Sequence, residues 1–369
     1  MRKALLLSLL FVSTHTFSQH YKKLHFKSTL VDTHNDILTT VIDKKLSMDQ
    51  DLRGKTNSDL NRWKEGGVDV QLFSVWCDGK MRDPYAWANR EMDTLAAVVQ
   101  RNPDKIVMVG TPKEMKKAVK KKKLAAMFGV EGGHMIENDL SKLDKLYERG
   151  ARYMTLTWNN STDWATSAAD ETTKGDSLKH KGLTDFGKQV VKRMNELGMM
   201  VDLSHVGEQT FWDAINTTTK PVIVSHSNAY TLCPFRRNLK DEQIKAVGKN
   251  GGVIHLNFYS GFVDSNYLKR FTVLEKSHLP ERDSLIEAEN IRPPLSMLLD
   301  HLDYIVKLIG VDHVGLGSDF DGVNSLPKQL DDVTTYPLIT EELIKRGYSD
   351  KDIRKILGGN FIRLFKAQK

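Results

Sequence analysis

Residues Met199–Ala229, MMVDLSHVGEQTFWDAINTTTKPVIVSHSNA, decide the fold. They contain two short apolar runs, Met200–Ser204 and Val222–Ser225, and each ends in a serine followed by a histidine. Between them, Gly207–Ile215 has the apolar spacing of an amphipathic helix. A strand, a helix and a second strand, with both strands almost continuously apolar, suit a parallel sheet covered on its outer face. His205 and His226 then stand at the carboxyl ends of consecutive strands.

The same rhythm extends in both directions. Thr29–Thr33, Val68–Val75, Ala125–Val130, Tyr153–Thr157, Gly252–Asn257 and His313–Gly317 bring the candidate strands to eight. Further helical periods fall at Tyr85–Gln100, Asp139–Arg149, Thr184–Leu197, Asp241–Lys249 and Leu295–Ile309. Eight strand-helix units in 369 residues predict an α/β fold, a (β/α)8 TIM-type barrel with insertions, over a doubly wound sheet. No linker, repeat or low-complexity tract divides the chain, so residues 20–369 read as a single domain. Two polar, poorly periodic stretches, Trp164–Lys181 and Ser260–Arg292, are expected to form loops or short helices near a site.

With 40% hydrophobic and 27% charged residues, the composition excludes wholesale disorder, collagen and coiled coil. Two cysteines, Cys77 and Cys233, cannot build a disulfide framework or a thiolate metal site, which leaves His and carboxylates to hold any metal. The net charge is +7, and Arg2 and Lys3 supply two of the positives. The densest run, Lys116, Lys117 and Lys120–Lys123, lies in an amphipathic helical pattern without interleaved aromatics. It reads as a solvated face and predicts no nucleic-acid partner. Met1–Ser18, MRKALLLSLLFVSTHTFS, has two charges, an apolar run from Ala4 to Val12, then small and polar residues. This pattern predicts a signal peptide over residues 1–19 and an exported chain, periplasmic or secreted. The apolar run is too short to span a bilayer and no later stretch approaches 18 apolar residues, so no membrane span is expected in the mature chain.

The candidate chemistry follows the strands. After the first comes His34-Asn35-Asp36, after the third Glu131, after the fifth His205, after the sixth His226, and after the eighth Asp319. In a (β/α)8 barrel these ends converge on one face. His34 and Asp36 are two apart, so in an extended segment both project from the same side and could reach one metal. His301 and Asp303 share that spacing but sit in a helical pattern, where such residues diverge by roughly 200°, and they read as surface residues. Glu131 precedes two glycines, and its two oxygens could bridge two cations; a capping or surface glutamate is the alternative. Three His, one Asp and one Glu suit two Zn2+ ions, with Mn2+ or Co2+ as substitutes. Two cations can lower the pKa of a bridging water so that it attacks a carbonyl, and the predicted reaction class is hydrolysis. Asp319 and Asp321 in GLGSDFDG remain, and Asp319, nearer the strand end, is the candidate for moving the proton from water to leaving group.

These residues resemble the membrane (renal) dipeptidase family of zinc peptidases. The resemblance rests on DTHNDIL, GVEGGH, RYMTLT, GLTDFGKQVVKRMNELG, VDLSHV, PVIVSHSNAY, RRN, NFY and GLGSDFDGV, running from about residue 30 to the C-terminal GGNFIRLF. It implies a zinc dipeptidase that cleaves the amide of a small dipeptide with a metal-bridging hydroxide. By this resemblance His34 and Asp36 would hold one zinc, His205 and His226 the other, and Glu131 would bridge them. Asp319 would handle the proton and touch substrate, and Arg237 would bind the substrate's terminal carboxylate, a role its planar fork suits. Outside the resemblance, Arg237 reads as a surface arginine.

One position departs from the family pattern. Where the family has a histidine near the scissile carbonyl, this chain has Trp158, with Asn159 and Asn160 beside it as alternative donors to substrate. Near NFY, Phe262 stands where the family has an aromatic hydroxyl, and Cys77 and Cys233 do not reproduce the family's cysteine set. Two alternatives stay open: a metal-dependent hydrolase of other small amides, such as N-acyl amino acids or lactams, and a peptide-binding barrel without turnover. A homodimer is also left open.

Overall fold

In a computed structural model of the chain, which describes residues 19–277 and 279–369, short parallel strands alternate with helices. The strands are β1 (Leu30–Asp32), β2 (Val68–Trp76), β3 (Ile106–Met108), β4 (Leu124–Glu131), β5 (Ala151–Thr155), β6 (Met200–Asp202), β7 (Ile223–Val224), β8 (Val253–Leu256) and β9 (Val314–Leu316). β1, β2, β4, β5, β6, β7, β8 and β9 pair in that order and β9 pairs back with β1, closing an eight-stranded parallel barrel. These are the eight strands expected from the sequence, with ends displaced by at most two residues.

β3 is additional. Its three residues pair with Leu124, Ala125 and Ala126, while β5 pairs with Phe128–Glu131 along the same edge of β4. A three-residue strand flanked by Asn102-Pro103-Asp104 and Gly110-Thr111-Pro112 carries too little periodicity to be read from sequence.

The nearly continuous apolar strands serve two cores. In β4, Ala125 and Met127 join a cluster with Val70, Leu72, Tyr153, Met200 and Ile223 inside the barrel. Ala126, Phe128 and Val130 point outward under the helices. Strand alternation therefore turns Glu131 inward, in step with Ala125 and Met127. The same parity turns Ser74, Thr155 and Asp202 inward, so the interior is apolar below and polar at the carboxyl ends. The apolar end is closed by Phe361, Leu364 and Phe365 of the helix Asn360–Lys366. Arg363 and Gln368 fasten that segment to Gly251 O and Pro221 O, just before β8 and β7.

Local signals set the helices. In Asp185–Leu197, Thr184 accepts from Gly187 N at the start and Gly198, at φ 77°, ends the helix in the left-handed region. The polar stretches hold short helices, Ala168–Lys174, Ser260–Val263, Tyr267–Glu275 and Glu281–Asn290. The lysine run lies on and just after the helix Pro112–Lys120, whose buried face is Pro112, Met115 and Ala118.

The signal-peptide expectation falls outside the described residues up to residue 18, and Gln19 opens a helix of residues 19–27. Cys77 and Cys233 are both buried and free. The expectation for His301 is overturned: it is not on the surface. It is fully buried, receives Ala229 N at Nδ1 (3.1 Å) and donates from Nε2 to Val263 O (3.0 Å), tying the loops after β7 and β8 to the helix Leu295–Ile309. Asp303 does reach outward, to Arg346 and Tyr348.

Candidate metal centre

His34, Asp36, Glu131, His205, His226 and Asp319 converge at the carboxyl ends of the strands, all buried or nearly so. Each histidine is turned by a partner at Nδ1. Tyr153 Oη donates to Thr33 O (3.0 Å), so it accepts from His34 Nδ1 (2.7 Å). Ser225 Oγ donates to Asp202 Oδ2 (2.6 Å) and accepts from His226 Nδ1 (2.8 Å). His205 Nδ1 donates to Asn159 Oδ1 (3.2 Å). All three rings therefore present a bare Nε2 to the centre, the tautomer a metal ligand needs.

The acceptors crowd together. His205 Nε2 and His226 Nε2 are 3.0 Å apart, and they lie 2.8 and 3.6 Å from Glu131 Oε1. On the other side His34 Nε2 lies 3.3 Å from Glu131 Oε2 and 3.4 Å from Asp36 Oδ2, and among the described residues neither His34 Nε2 nor Asp36 Oδ2 has a hydrogen-bond donor. Buried lone pairs facing one another without a proton between them are unfavourable unless a cation joins them. Burial first, then the Arg237 charge, pulls His205 down to about 4. Burial above all holds His226 well below its usual range. Both are neutral at ordinary pH, the state in which an imidazole can hold a metal. The donor set fits a metal, and nitrogen and oxygen donors without thiolate fit a divalent ion.

Three of the eight non-glycine residues with left-handed backbone among the described residues lie here. His205 (φ 63°), Asp319 (φ 64°) and Asp321 (φ 66°) adopt the left-handed region, which costs a non-glycine residue about 1–3 kcal/mol and collects at functional sites. Asp319 N donates to His34 O (3.1 Å). Its Oδ2 accepts from Asn257 Nδ2 (2.7 Å), leaving Oδ1 4.0 Å from His34 Nε2. Burial, then the Asp36 carboxylate, pushes Asp319 up to about 7. Asp321 also lines the cavity at this end, but its carboxylate accepts from Asn57 N (2.7 Å) and Ser58 Oγ, so it braces the loop.

A cavity of about 490 Å³ opens above the centre, with Glu131, Asp319, Asn159, Trp158 and Arg237 among its walls. Arg237 is 5% exposed, which overturns its reading as a surface arginine. Its guanidinium lies 5.4 Å from the Phe262 ring centre, Nη2 donates to His226 O at 3.4 Å, and Nε has no acceptor among the described residues. Trp158 stands edge-on to Trp76, ring centres 5.0 Å apart, as an aromatic wall. Asn159, expected to face substrate, lines the cavity but gives its oxygen to His205. Asn160 has its Oδ1 buried without a partner and is not a wall of this cavity.

Sequence reading missed Tyr153, Ser74, whose Oγ donates to Glu131 Oε2 (3.1 Å), the Asp202–Ser225 pair and Asn257. A signal existed for Asp202: Val-Asp precedes a histidine in both VDTH (31–34) and VDLSH (201–205). In each, the aspartate accepts backbone N–H groups of the loop carrying the ligand and of the neighbouring strand end.

Residues 18–369 match the family model described as membrane dipeptidase, peptidase family M19. The chain belongs to this family. It is accordingly a metallo-dipeptidase, a hydrolase of peptide bonds. Among solved structures, the probable dipeptidase PvdM from Pseudomonas aeruginosa is 24% identical, with a TM-score of 0.82 over 96% of this chain and 98% of its own. A metallopeptidase from Rhodobacter sphaeroides, liganded with a phosphinate mimic of the dipeptide L-Ala-D-Ala, is 23% identical, with a TM-score of 0.79 over 93% and 99%. At these identities the two structures support the dipeptidase's barrel fold.

Proposed function

We propose that the dipeptidase works with two zinc ions, His34 and Asp36 holding one, His205 and His226 the other, and Glu131 bridging them. The observation that carries this reading is the division of Glu131, whose Oε1 faces His205 and His226 while Oε2 faces His34. When bound, the cations supply a nucleophile from water near neutral pH and a Lewis acid for the scissile carbonyl; Mn2+ or Co2+ would substitute. Arg237, with an uncommitted Nε at the cavity wall, receives the dipeptide's C-terminal carboxylate and sets which bond lies over the centre. Asp319 Oδ1, steadied through Oδ2 by Asn257, takes the proton from the attacking water and returns it to the leaving amine. The dipeptide mimic carried by the Rhodobacter sphaeroides relative supports a ligand of this size. Removing metal with a chelator should abolish dipeptide hydrolysis and zinc should restore it, with two zinc per chain by elemental analysis. Activity indifferent to metal would end this reading. His205→Ala should lose turnover with little loss of folding.

A second reading keeps the centre and changes the substrate to an N-acyl amino acid or lactam. Trp158 favours it, because an indole donates one N–H and cannot become a cation beside the scissile carbonyl. Comparing wild type with Trp158→His on a panel of dipeptides, N-acyl amino acids and lactams separates the two. We also infer export, from the charged and apolar pattern of Met1–Ser18. N-terminal sequencing of the protein recovered from the periplasm or medium should begin near residue 20.

A further inference from the structure

The barrel end opposite the metal centre carries a second cavity, of about 380 Å³, where the chain enters β2, β3 and β4. Lys64, Lys105, Lys122 and Lys123 line it, arriving from three separate segments. Among the described residues Lys105 and Lys123 donate to neutral acceptors, Asn61 Oδ1 (3.1 Å) and Pro103 O (2.6 Å). Two carboxylates share the walls, an exposed Asp104 and a half-buried Asp69 that accepts from Leu30 N. The four cations thus outnumber the anions two to one. Beneath the lysines the floor is apolar, with Trp63 fully buried. On the rim Phe26 is 54% exposed, and Lys22 stands one turn back on the same helix face.

A solvated lysine face needs neither an apolar floor nor an exposed aromatic at its edge. The combination suits a boundary that offers phosphate at one level and hydrocarbon just beneath, where basic and aromatic side chains act together. Nucleic acid fits less well, since a single rim aromatic provides no row on which successive bases could stack. Docking by this end would leave the substrate cavity, at the other end of the barrel, open to solvent. We propose that the lysine-rimmed end of the barrel docks on anionic phospholipid, the lysines taking headgroup phosphates and Phe26 entering the interface.

The test is co-sedimentation of the chain from residue 20 onward, without the basic and apolar Met1–Ser18 segment, with phosphatidylglycerol-containing vesicles and with phosphatidylcholine vesicles, at low and high salt. Binding should require the anionic lipid and weaken with salt. Lys64→Gln with Lys122→Gln should weaken it roughly 25-fold, at about fivefold per lysine, with the thermal midpoint unchanged. Phe26→Ser should weaken binding at high salt, where the charge contribution is screened. Equal binding to both vesicle types, or full binding by the double variant, overturns the proposal. Binding of inorganic phosphate or a single-stranded oligonucleotide at this end, without vesicle binding, assigns it to another ligand and overturns it equally.

Discussion

Asn257 and Asn159 are neutral amides that hold Asp319 and His205, the proposed proton carrier and a proposed metal ligand. Tyr259 N donates to Asn257 Oδ1 (2.6 Å), which fixes the amide so that Nδ2 faces Asp319. Asn257→Ala should lower kcat for dipeptide hydrolysis roughly 10- to 100-fold, part of the usual contribution of a positioned proton carrier, with zinc content unchanged by elemental analysis. Loss of zinc together with activity would instead make Asn257 a support of the ligands. Asn159→Ala should weaken zinc binding about 10- to 100-fold, read by competition with a chromophoric chelator. Unchanged zinc affinity with a raised KM would return Asn159 to the substrate-binding role expected from sequence. Asp69 gives a pH prediction away from the centre. Burial pushes it up to about 6, above its unfolded value, so the folded state tolerates it best when protonated. Its contribution is full below about pH 4 and is lost as pH rises through about 6. Asp69→Asn should therefore stabilise the protein by on the order of 1–2 kcal/mol at pH 7.5 and by almost nothing at pH 4, measured as paired thermal midpoints. An equal effect at both values would exclude titration as its cause.

At the scale of elements, the strand ends must sit close enough for ligands on separate strands to meet. β9 ends against β7 at Gly317, where a Cβ would stand 1.9 Å from Ser225 O and 2.7 Å from Thr33 Oγ1. Thr33 Oγ1 also donates to Ser225 O (2.7 Å), linking the segments that carry His34 and His226 across the barrel mouth. Gly317→Ala should cost about 1–3 kcal/mol, seen as a lower denaturant midpoint, and should reduce zinc affinity because it pushes the His226 segment outward. A midpoint unchanged from wild type would mean that the ends part without strain. The barrel strands were legible because each is a bounded apolar run with a polar residue at its end. β3 was not, because its three residues pair with half of one edge of β4 and need little apolar surface of their own.

For the molecule as a whole, the proposed metal ligands come from four different strand ends that the unfolded chain keeps far apart. A metal bound there stabilises only the folded state. Chelation should lower the thermal midpoint by several degrees, corresponding to about 4 kcal/mol at a thousandfold excess of metal over its dissociation constant, and zinc should restore it. A midpoint indifferent to chelator would mean that the ligand cluster forms without a cation.

The sequence by itself determined the barrel and the identity of the inward donors, since period-2 alternation and a polar residue after each apolar run are local properties. His34, Asp36, Glu131, His205, His226 and Asp319 could be named from it. It did not determine what holds them. Tyr153 reaches His34 from a strand 119 residues away, Asn257 reaches Asp319 from 62, and Arg237 reads locally as surface although it is buried beside Phe262. His301 was misread for the same reason, because burial is a property of what packs against a helix and not of spacing within it. Which tautomer each histidine holds, which oxygen of Glu131 faces which pair, and which lysines share a cavity all depend on contacts between distant segments, and only the tertiary structure decided them.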